Sequence, residues 1–587
     1  MSDRSDAAGG RVSNSPPPPS APFMSSAPAI APAVAGAGER PPRPAATIVV
    51  VRDGERGIEV LLSRRAERGD HNSGAWVFPG GIVEAGDALV HGACDGFGDE
   101  EASRRLGLAC GGLDYWVAAI RECFEESGLL FARGEGSALV DLDGSDATRL
   151  SPWRLALHRC ERSIADFCAA ERLRLAVDRL VYLSHWLTPL GRPKRFDTRF
   201  FIAAAPPAQT AAHDGTELVE QLWITPHEAL ARSASLKLLT PTQKTLETIG
   251  RFATVAEAMA WASAPREVAL VMPRVGNGRD GLRPVMPDEW AWAELGRIDP
   301  KGNGQHWYDI QPDVAVRLSL RLIRVTANNG NMMTGPGTNT YLVGGGAENE
   351  WAVIDPGPLG EHHVRAVVDA APGPIRWIFA THTHVDHSPA TVLLKSLTGA
   401  RVHGRLPDHR EWQDATFAPE IALQGGERFE LPGSTTLRAI HTPGHASNHI
   451  CYLLEEEKLL FTGDHVMQAS TVVINPPDGD MAAYIASLRA LLEEDLEWLA
   501  PGHGFLMAEP KRAIEWIIAH RLEREAKVVG ALQAEAGATA EALLPRVYDD
   551  VPERLHKMAL RSLKAHLQKL QVDGRADEAA GRWSMRA

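Results

Sequence analysis

The chain has 587 residues, more than one hydrophobic core normally supports, so two or more domains are expected. Its formal net charge of −14 excludes a surface that binds nucleic acid indiscriminately, although a local basic patch is compatible with it. No stretch approaches the roughly 20 consecutive apolar residues of a membrane span, which predicts a cytoplasmic protein without membrane contact.

The N-terminal segment, residues 1–44, is rich in Pro, Ala, Ser and Gly and includes the run Pro16 to Pro19. Such a composition cannot bury a core, so we predict a disordered tail. Proline residues interrupt its Ala-rich stretch, which disfavours a signal peptide. The six cysteines contain no Cys-x-x-Cys pair and are predicted to be reduced and mostly structural.

The first predicted domain spans residues 45–253. The turn signal Asp53-Gly54 between two apolar runs predicts a hairpin. A glycine-rich loop at 78–81 precedes a helix predicted from about Tyr115 to Leu129. Its strands are predicted over the short apolar runs 46–51, 58–62, 196–203 and 217–224.

Three acidic residues of that helix, Glu122, Glu125 and Glu126, share one face at i, i+3 and i+4 spacing. Adjacent carboxylates repel one another, and a hard cation such as Mg²⁺ or Mn²⁺ relieves that repulsion and can bridge to substrate phosphates. A merely solvated helix face is the alternative.

The segment from Arg121 to Leu129 is similar to the second half of the Nudix box, and Gly81 to Asp87 is similar to its first half. Residues 88–120 separate the two halves, far more than in the family, which implies an inserted loop. Asp87 stands where the family has Glu.

Together with residues 185–189 and 195–201, this interrupted box resembles the acyl-coenzyme A diphosphatase branch of the Nudix family. The resemblance implies an α/β/α sandwich in which Glu122, Glu125 and Glu126 hold Mg²⁺ or Mn²⁺. Glu122 and Glu125 would be catalytic toward a small-molecule diphosphate, such as a coenzyme A or nucleotide derivative. A domain that only senses its ligand, in a regulatory protein, is the alternative.

Residues 254–315 show little periodicity and are predicted to be a connector of uncertain order. From Val314 onward strand-like runs alternate with helical stretches, an α/β pattern that defines a second domain over residues 316–512. Residues 513–587 are predicted to be mainly helical, with helices at 512–533, 541–547 and 555–570.

Four potential ligands, His382, His384, Asp386 and His387, directly follow the predicted buried strand 375–380. Ser388-Pro389 comes next, and this pair predicts an N-cap and a first helical position. The cluster is therefore expected in a strand-to-helix loop. Three further candidates each adjoin glycine, which lets the backbone turn closely enough to aim a side chain inward: His445, Asp464 and His503.

The order His-x-His-x-Asp-His, Gly-His, Gly-Asp and Gly-His resembles the metallo-β-lactamase superfamily, whose fold is an αβ/βα sandwich. The resemblance implies two metal sites that share Asp464, with Asp386 and Asp464 as catalytic residues. One site would be formed by His382, His384 and His445, and the other by Asp386, His387 and His503. Neutral imidazoles and carboxylates suit two Zn²⁺ ions, which lower the pKa of bound water to about 7 and supply hydroxide for hydrolysis.

Three residues near these ligands have less certain roles. Asp355 matches a family position that orients a metal ligand, with a turn-capping role as the alternative. His449 is either a substrate contact or a structural histidine. His465 is expected to be a neighbour of the site rather than a ligand, because Asp464 already takes the bridging place.

Residues 334–341 and 551–559 resemble the β-lactamase-like protein 2 family, which adds a C-terminal winged-helix-like segment and includes a single-strand-selective endoribonuclease. Between Pro552 and Ala587 the chain carries eight Lys and Arg against four Asp and Glu, a local excess that could attract phosphates. A phosphodiester substrate, with single-stranded RNA as the candidate partner, is therefore the first hypothesis. Glyoxalase II-like thioester hydrolysis uses nearly the same ligands and stays open.

Overall fold

The structure, a computed structural model, describes residues 41–67, 73–144, 146–346, 349–468 and 470–586. Residues 1–40 of the predicted disordered tail therefore lie outside the described residues, and the first strand begins at Arg43. Within the described ranges, no helix combines the length and the apolarity needed to cross a bilayer.

The first half contains a mixed sheet in the order β10-β2-β1-β9-β8-β11, with β3 paired to β2 and β4 to β1, and a small sheet in the order β5-β7-β6. Its strands are β1 Arg43–Gly54, β2 Gly57–Arg65, β3 Trp76–Val77, β4 Gly80–Ile82, β5 Cys94–Asp95, β6 Ala132–Arg133, β7 Arg174–Ala176, β8 Val181–Leu187, β9 Phe196–Ala204, β10 Leu218–Ile224 and β11 Leu270–Val271. Its helices are α1 Asp99–Leu106, α2 Leu113–Ser127, α3 Ala147–His158, α4 Ile164–Glu171, α5 Pro226–Ala231, α6 Thr240–Ile249 and α7 Val255–Ser263.

Strand β1 is buried on both faces because successive side chains point to opposite sides of a sheet. Ile48 and Val50 pack into one core with α2, whereas Val49 and Val51 pack into a second core with α6 and α7. The sheet therefore lies between two helical layers, which confirms the predicted α/β/α sandwich.

The insertion between the two halves of the predicted box is a folded subdomain. It contains α1 and the first two turns of α2. Asp99 holds the segment between α1 and α2 in place by accepting hydrogen bonds from the backbone N–H groups of Gly111 and Leu113, both at 2.9 Å. The insertion thus lets Asp87 and Arg121 meet across 33 intervening residues of sequence.

The predicted connector, residues 254–315, is ordered and belongs to both halves. Helix α7 packs into the second core of the sandwich, and β11 pairs with β8 in parallel. A hairpin follows, formed by β12 Arg274–Gly276 and β13 Arg283–Val285, and then helix α8 Trp292–Ile298. These elements are too short to leave a periodic signal, but their Trp, Val and Met side chains are buried.

The second half contains two sheets, β14 through β20 and β21 through β26, each in sequence order. Their strands are β14 Ala315–Arg317, β15 Leu322–Thr326, β16 Asn339–Gly345, β17 Glu350–Ile354, β18 Ile375–Phe379, β19 Arg401–Gly404, β20 Ile421–Ala422, β21 Arg428–Leu431, β22 Thr435–His441, β23 Ile450–Leu454, β24 Leu459–Gly463, β25 Trp498–Pro501 and β26 Met507–Ala508. The helices are α9 Glu361–Ala370, α10 Thr391–Thr398, α11 Met481–Leu491 and α12 Pro510–Ala534.

The two sheets face each other across a core that includes Tyr341 and Phe379 from one sheet and Tyr452 and Phe461 from the other. Helices α9 and α10 cover the outer face of the first sheet, and α11 and α12 cover that of the second. This arrangement confirms the predicted αβ/βα fold.

The C-terminal segment packs α12 against α13 Ala540–Val547, α14 His556–Val572 and the hairpin β27 Ala576–Ala579 with β28 Arg582–Met585. The three helices were expected from the sequence. The hairpin was not, because its only local signal is the turn Ala580-Gly581. Helices followed by this hairpin form the winged helix that the resemblance implied.

Candidate metal centres

The histidine and aspartate candidates of the second half all lie in loops that leave one edge of the two sheets. The loop between β18 and α10 carries four of them. His445 lies between β22 and β23, Asp464 directly follows β24, and His503 follows β25. Helix α10 starts at Thr391 with Ala390 as its N-cap, so the predicted capping role of Ser388 is wrong. The Ser388 hydroxyl instead donates to Asp414 at 2.8 Å.

Three imidazole nitrogens converge at one end of the cluster. The Nδ1 atom of His384 lies 3.0 Å from Nε2 of His382 and 3.0 Å from Nε2 of His445. Two such distances around one ring nitrogen cannot both be ordinary hydrogen bonds, because a neutral imidazole nitrogen either donates or accepts. The grouping is the one a shared cation would produce.

A second triad forms at the other end. The Nε2 atom of His387 lies 3.3 Å from Asp386 Oδ2, and Nε2 of His503 lies 3.5 Å from the same oxygen. In each triad the candidate ligand atoms lie within 4.8 Å of one another.

Asp464 lies between the two triads. Its Oδ1 atom is 3.3 Å from His387 Nε2 and 3.2 Å from His503 Nε2, while its Oδ2 atom is 3.7 Å from His445 Nε2. Each carboxylate oxygen therefore faces one triad. Gly502 makes this approach possible, because a Cβ atom there would lie 2.7 Å from Asp464 Oδ1 and 2.8 Å from the His387 ring.

Two buried atoms at the centre of this arrangement, His387 Nε2 and Asp464 Oδ1, have no hydrogen-bond partner among the described residues. An unpaired buried polar atom normally costs about 1–3 kcal/mol, so its presence needs an explanation. The donor set of imidazole nitrogens and carboxylate oxygens fits a pair of divalent cations, which would satisfy both atoms.

The outer nitrogens of the candidate ligands are held by fixed acceptors. Asp355 Oδ2 accepts from His387 Nδ1 at 2.9 Å and from the Thr381 hydroxyl at 2.7 Å. The backbone carbonyl of Val473 lies 2.9 Å from His445 Nδ1. Such contacts orient the rings and set which nitrogen faces the centre.

Electrostatics divides the histidines into two kinds. Burial, reinforced by neighbouring histidines, lowers the pKa of His382 well below its usual value and that of His384 to about 3, so both are neutral and ready to bind a cation. Burial also acts on His387, but the carboxylates of Asp386, Asp464 and Asp355 outweigh it and raise the pKa of His387 well above its usual value. A cation bound there must therefore displace a proton.

Two further histidines lie behind the cluster. His449 is fully buried, and its Nδ1 lies 2.9 Å from the Thr442 hydroxyl, which favours the structural interpretation over a substrate contact. His465 is also fully buried and packs against His449 and Tyr484, outside both triads.

In the first half, Arg121 of α2 organises the acidic residues. It donates to Asp87 at 2.9 and 3.1 Å, to the carbonyl of Ile82 at 2.8 Å, and to Glu122 at 2.9 Å. Glu125 is a more distant acceptor at 3.4 Å. Asp87 is thus a site-forming residue, and the sequence marked it only by its position in the first half of the box.

The three glutamates are less closely grouped than the histidines. Glu122 and Glu125 face Arg121, whereas Glu126 Oε2 accepts from the backbone N–H of Gly80 at 2.8 Å. Burial raises the pKa of Glu125 to about 7 and that of Glu126 well above its usual value, with the charge of Glu122 adding to both shifts. Buried carboxyl groups in this state bind protons or cations in preference to remaining bare anions.

Four exposed apolar residues lie in loops that carry or contact the candidate ligands. Val385, between two of the candidate ligands, is 62% exposed. Trp412, whose neighbour Gln413 pairs with the backbone of His384, is 68% exposed, and Met332 and Met333 are 71% and 45% exposed. Exposed apolar residues in loops that carry or contact candidate ligands mark a surface that can meet an apolar group.

Half of the eight basic residues of the C-terminal segment, Lys564, Lys569, Arg575 and Arg586, pair with acidic residues of the same protein. Lys564 pairs with Glu541 at 3.1 Å, Lys569 with Glu525 at 2.9 Å, and Arg575 also with Glu525 at 2.9 Å. Arg554, Lys557 and Arg561 are exposed and have no acidic partner among the described residues. Arg582 also has no acidic partner among the described residues, but it donates to the carbonyl of Gly537 at 2.8 Å. The other three cations are grouped at the start of α14 and in the turn before it.

Comparison with known families bears on each half. Residues 333–503 match the metallo-beta-lactamase superfamily, and residues 539–583 match the beta-lactamase associated winged helix domain. In the first half, residues 41–94 match the NUDIX domain and residues 96–244 match the NUDT19 Nudix domain. The two Nudix matches meet inside the insertion.

Three individual proteins are each similar to part of this chain. An atrochrysone carboxyl ACP thioesterase of Aspergillus chevalieri is 34% identical over 262 residues, which cover 42% of this chain and 80% of that protein. A beta-lactamase-like protein 2 homolog of Drosophila melanogaster is 30% identical over 277 residues, which cover 44% of this chain and 90% of the relative. A crystal structure of a NUDIX hydrolase from Alicyclobacillus acidocaldarius is 26% identical with a TM-score of 0.32, covering 39% of this chain and 97% of that one.

These matches confirm the resemblances seen in the sequence. The chain is a hydrolase that belongs to the metallo-β-lactamase superfamily, with a Nudix domain before its metallo-β-lactamase domain and a β-lactamase-associated winged helix after it.

Proposed function

We propose that the metallo-β-lactamase domain holds two zinc ions and hydrolyses a thioester. His382, His384 and His445 would hold one ion, Asp386, His387 and His503 the other, and Asp464 both. The observation that carries this is the position of Asp464, each of whose oxygens faces one triad. When bound, the ions would activate water and stabilise negative charge that develops on the substrate.

The thioester is favoured by the exposed apolar residues in the loops around the candidate ligands. Val385, Met332, Met333 and Trp412 would contact an acyl chain that enters beside the cluster. The name of the 34% identical relative, an acyl carrier protein thioesterase, points to the same substrate class.

A phosphodiester of single-stranded RNA is the second candidate. It is favoured by Arg554, Lys557 and Arg561, which have no acidic partner among the described residues. Arg561 also lies 5.9 Å from the centre of the exposed Trp412 ring. Cations beside an exposed aromatic ring are the elements that single-stranded nucleic acid uses.

We propose that the Nudix domain hydrolyses a small-molecule diphosphate, such as a coenzyme A or nucleotide derivative, with Mg²⁺ or Mn²⁺. Glu122, Glu125 and Glu126 would hold the cation, and Glu122 and Glu125 would act on the reacting group. The supporting observation is that Glu122 and Glu125 accept from the buried Arg121, while Glu126 accepts from the backbone of Gly80, so three carboxylates are held on one face of α2 beside the glycine-rich loop. Cytoplasmic location is proposed too, since all six cysteines are unpaired.

To test the second domain, the purified protein is incubated with acyl-thioesters and, in parallel, with single-stranded RNA. Asp464→Ala is the control. We expect thioester turnover that Asp464→Ala reduces at least about a thousandfold, together with loss of bound zinc by elemental analysis. Cleavage of RNA alone would replace the thioester proposal with the second candidate. Equal activity of Asp464→Ala and wild type would contradict both.

The test of the first domain compares wild type with Glu125→Gln on coenzyme A and nucleotide diphosphates. Glu125→Gln should lose turnover and also the rise in melting temperature that Mg²⁺ or Mn²⁺ gives the wild type. Unchanged turnover would favour the sensor interpretation. Glu100→Gln, an exposed glutamate on α1, is the matched control.

A further inference from the structure

The start of α14 carries a strip of positive charge that the metal-centre proposals leave unused. Lys557 and Arg561 lie four residues apart, so they share one exposed face of the helix, and Arg554 lies in the turn before it. On a protein of net charge −14, three neighbouring cations without acidic partners among the described residues stand out from the other basic residues of the segment.

This strip lies beside the histidine cluster. The Arg561 guanidinium is 5.9 Å from the ring centre of Trp412, and the next residue of that loop, Gln413, pairs with the backbone of His384. On the other side, Ser562 accepts from the Ile474 N–H at 3.5 Å, and the preceding carbonyl, that of Val473, holds His445. Two contacts therefore connect the start of α14 to loops that position His384 and His445.

The chemistry of the strip points to a phosphate. Two cations one helical turn apart can bind a doubly charged anion together, and an arginine matches phosphate geometry with two parallel N–H donors. The exposed apolar residues beside the cluster suit an acyl chain, so an anion held at the strip would belong to the other part of the substrate, the thiol that leaves.

We propose that Lys557, Arg561 and Trp412 form a subsite for a phosphate group carried by the thiol portion of a thioester. The proposal rests on the thioester function proposed above. Coenzyme A and the phosphopantetheine arm of a carrier protein both supply this chemistry, whereas a carboxylate-bearing thiol such as glutathione does not.

The experiment compares one acyl group on four thiols: coenzyme A, carrier-bound phosphopantetheine, unphosphorylated pantetheine and glutathione. All proteins carry Glu125→Gln, so that the Nudix domain does not cleave the diphosphate of coenzyme A. The measured quantity is the ratio of kcat/KM for each phosphorylated substrate to that for acyl-pantetheine. Wild type should prefer a phosphorylated substrate over both acyl-pantetheine and acyl-glutathione.

The double variant Lys557→Ala, Arg561→Ala should lower this ratio about tenfold, mainly through KM, and the ratio should also fall as salt rises from 50 to 500 mM, roughly as screening of exposed charges requires. Lys564→Ala, on the same helix but paired with Glu541, should keep the wild-type ratio. The source of the phosphate is the substrate, coenzyme A or carrier-bound, whose kcat/KM ratio to acyl-pantetheine falls more in the double variant.

If thioesters are hydrolysed and the double variant has the wild-type ratio, the subsite is overturned and the proposed function stays intact. If no thioester is hydrolysed, the proposed function fails, and binding of desulfo-coenzyme A then decides the subsite. Affinity about tenfold weaker in the double variant than in Lys564→Ala would support it, and equal affinity would overturn it. Since Lys557, Arg561 and Lys564 are exposed, their variants should match the Glu125→Gln parent in melting temperature and zinc content.

Discussion

Single buried carboxylates make more contacts in this structure than their sequence motifs indicate. Asp355 was expected either to orient a metal ligand or to cap a turn, and its two oxygens have both kinds of partner. Oδ1 accepts from the Thr381 N–H at 2.7 Å, and Oδ2 accepts from His387. Its backbone has φ of 52°, a left-handed conformation that Asp tolerates better than most residues.

We expect Asp355→Ala to weaken zinc binding about 10- to 100-fold, because His387 loses the acceptor that orients its ring. The His387 site should be affected more than the three-histidine site, so one of the two zinc ions should be lost first in a chelator titration. Asp369→Ala, an exposed aspartate on α9, is the control. Simultaneous release of both ions at the wild-type chelator concentration would contradict this role.

A second carboxylate, Asp87, stabilises the first domain. It is fully buried and binds Arg121 through two hydrogen bonds. Asp87→Ala leaves a buried guanidinium without its main partner, which should lower the free energy of unfolding by about 3–5 kcal/mol. Chemical denaturation followed by circular dichroism checks this value. A loss no larger than that of Glu100→Ala would show that Glu122 and Glu125 alone balance the charge.

At the scale of elements, the contact between α12 and α14 buries a histidine in basic surroundings. His566 is fully buried, neither ring nitrogen has a hydrogen-bond partner among the described residues, and Glu525 lies 4.0 Å away. Burial, together with the nearby charges of Arg521 and Lys569, lowers the pKa of His566 well below its usual value.

A lowered pKa means that the folded state binds the proton less readily than the unfolded state. The corresponding stability is therefore present above about pH 6.5, the usual histidine value, and is lost as the pH falls below it. We expect His566→Leu to lose less melting temperature than wild type between pH 7.5 and pH 5.0. An equal fall in melting temperature between these pH values for wild type and His566→Leu would contradict this expectation. The variant His409→Leu, at an exposed histidine, serves as the control.

In the molecule as a whole, the segment before the metallo-β-lactamase domain contacts the loop that carries the candidate ligand His503. Glu294 of α8 and Arg324 of β15 are both buried and form a double contact at 2.6 and 2.9 Å. Glu294 also accepts from the Leu506 N–H at 2.8 Å, in the loop that carries His503. The predicted boundary at residue 316 would separate these groups.

We therefore expect a fragment of residues 316–587 to melt at a lower temperature and bind zinc more weakly than a fragment of residues 272–587, which retains α8. An unpaired buried Arg324 costs about 3–5 kcal/mol, enough to account for a clear difference. Glu294→Gln in the full chain, which keeps the shape but not the charge, should show the same direction. Equal melting temperatures of the two fragments would support the boundary at 316.

The two fold families, the ligand candidates and the helices of the C-terminal segment could all be predicted from the amino-acid sequence. Their signals are local: ligand spacing within one loop, carboxylates on one face of α2, and apolar periodicity within single elements. Such signals survive in sequence because each depends on residues that are close together along the chain.

Contacts between residues that are distant in sequence became visible in the folded structure alone. The pairing of Asp87 with Arg121 across the insertion, the place of Asp464 between two triads, the burial of His449, and the attachment of α8 through Glu294 all depend on packing between elements far apart in sequence. The same is true of the wing hairpin and of the α14 cations that lack an acidic partner among the described residues. Charge pairing depends on which side chains lie across an interface and not on how many charges the segment contains.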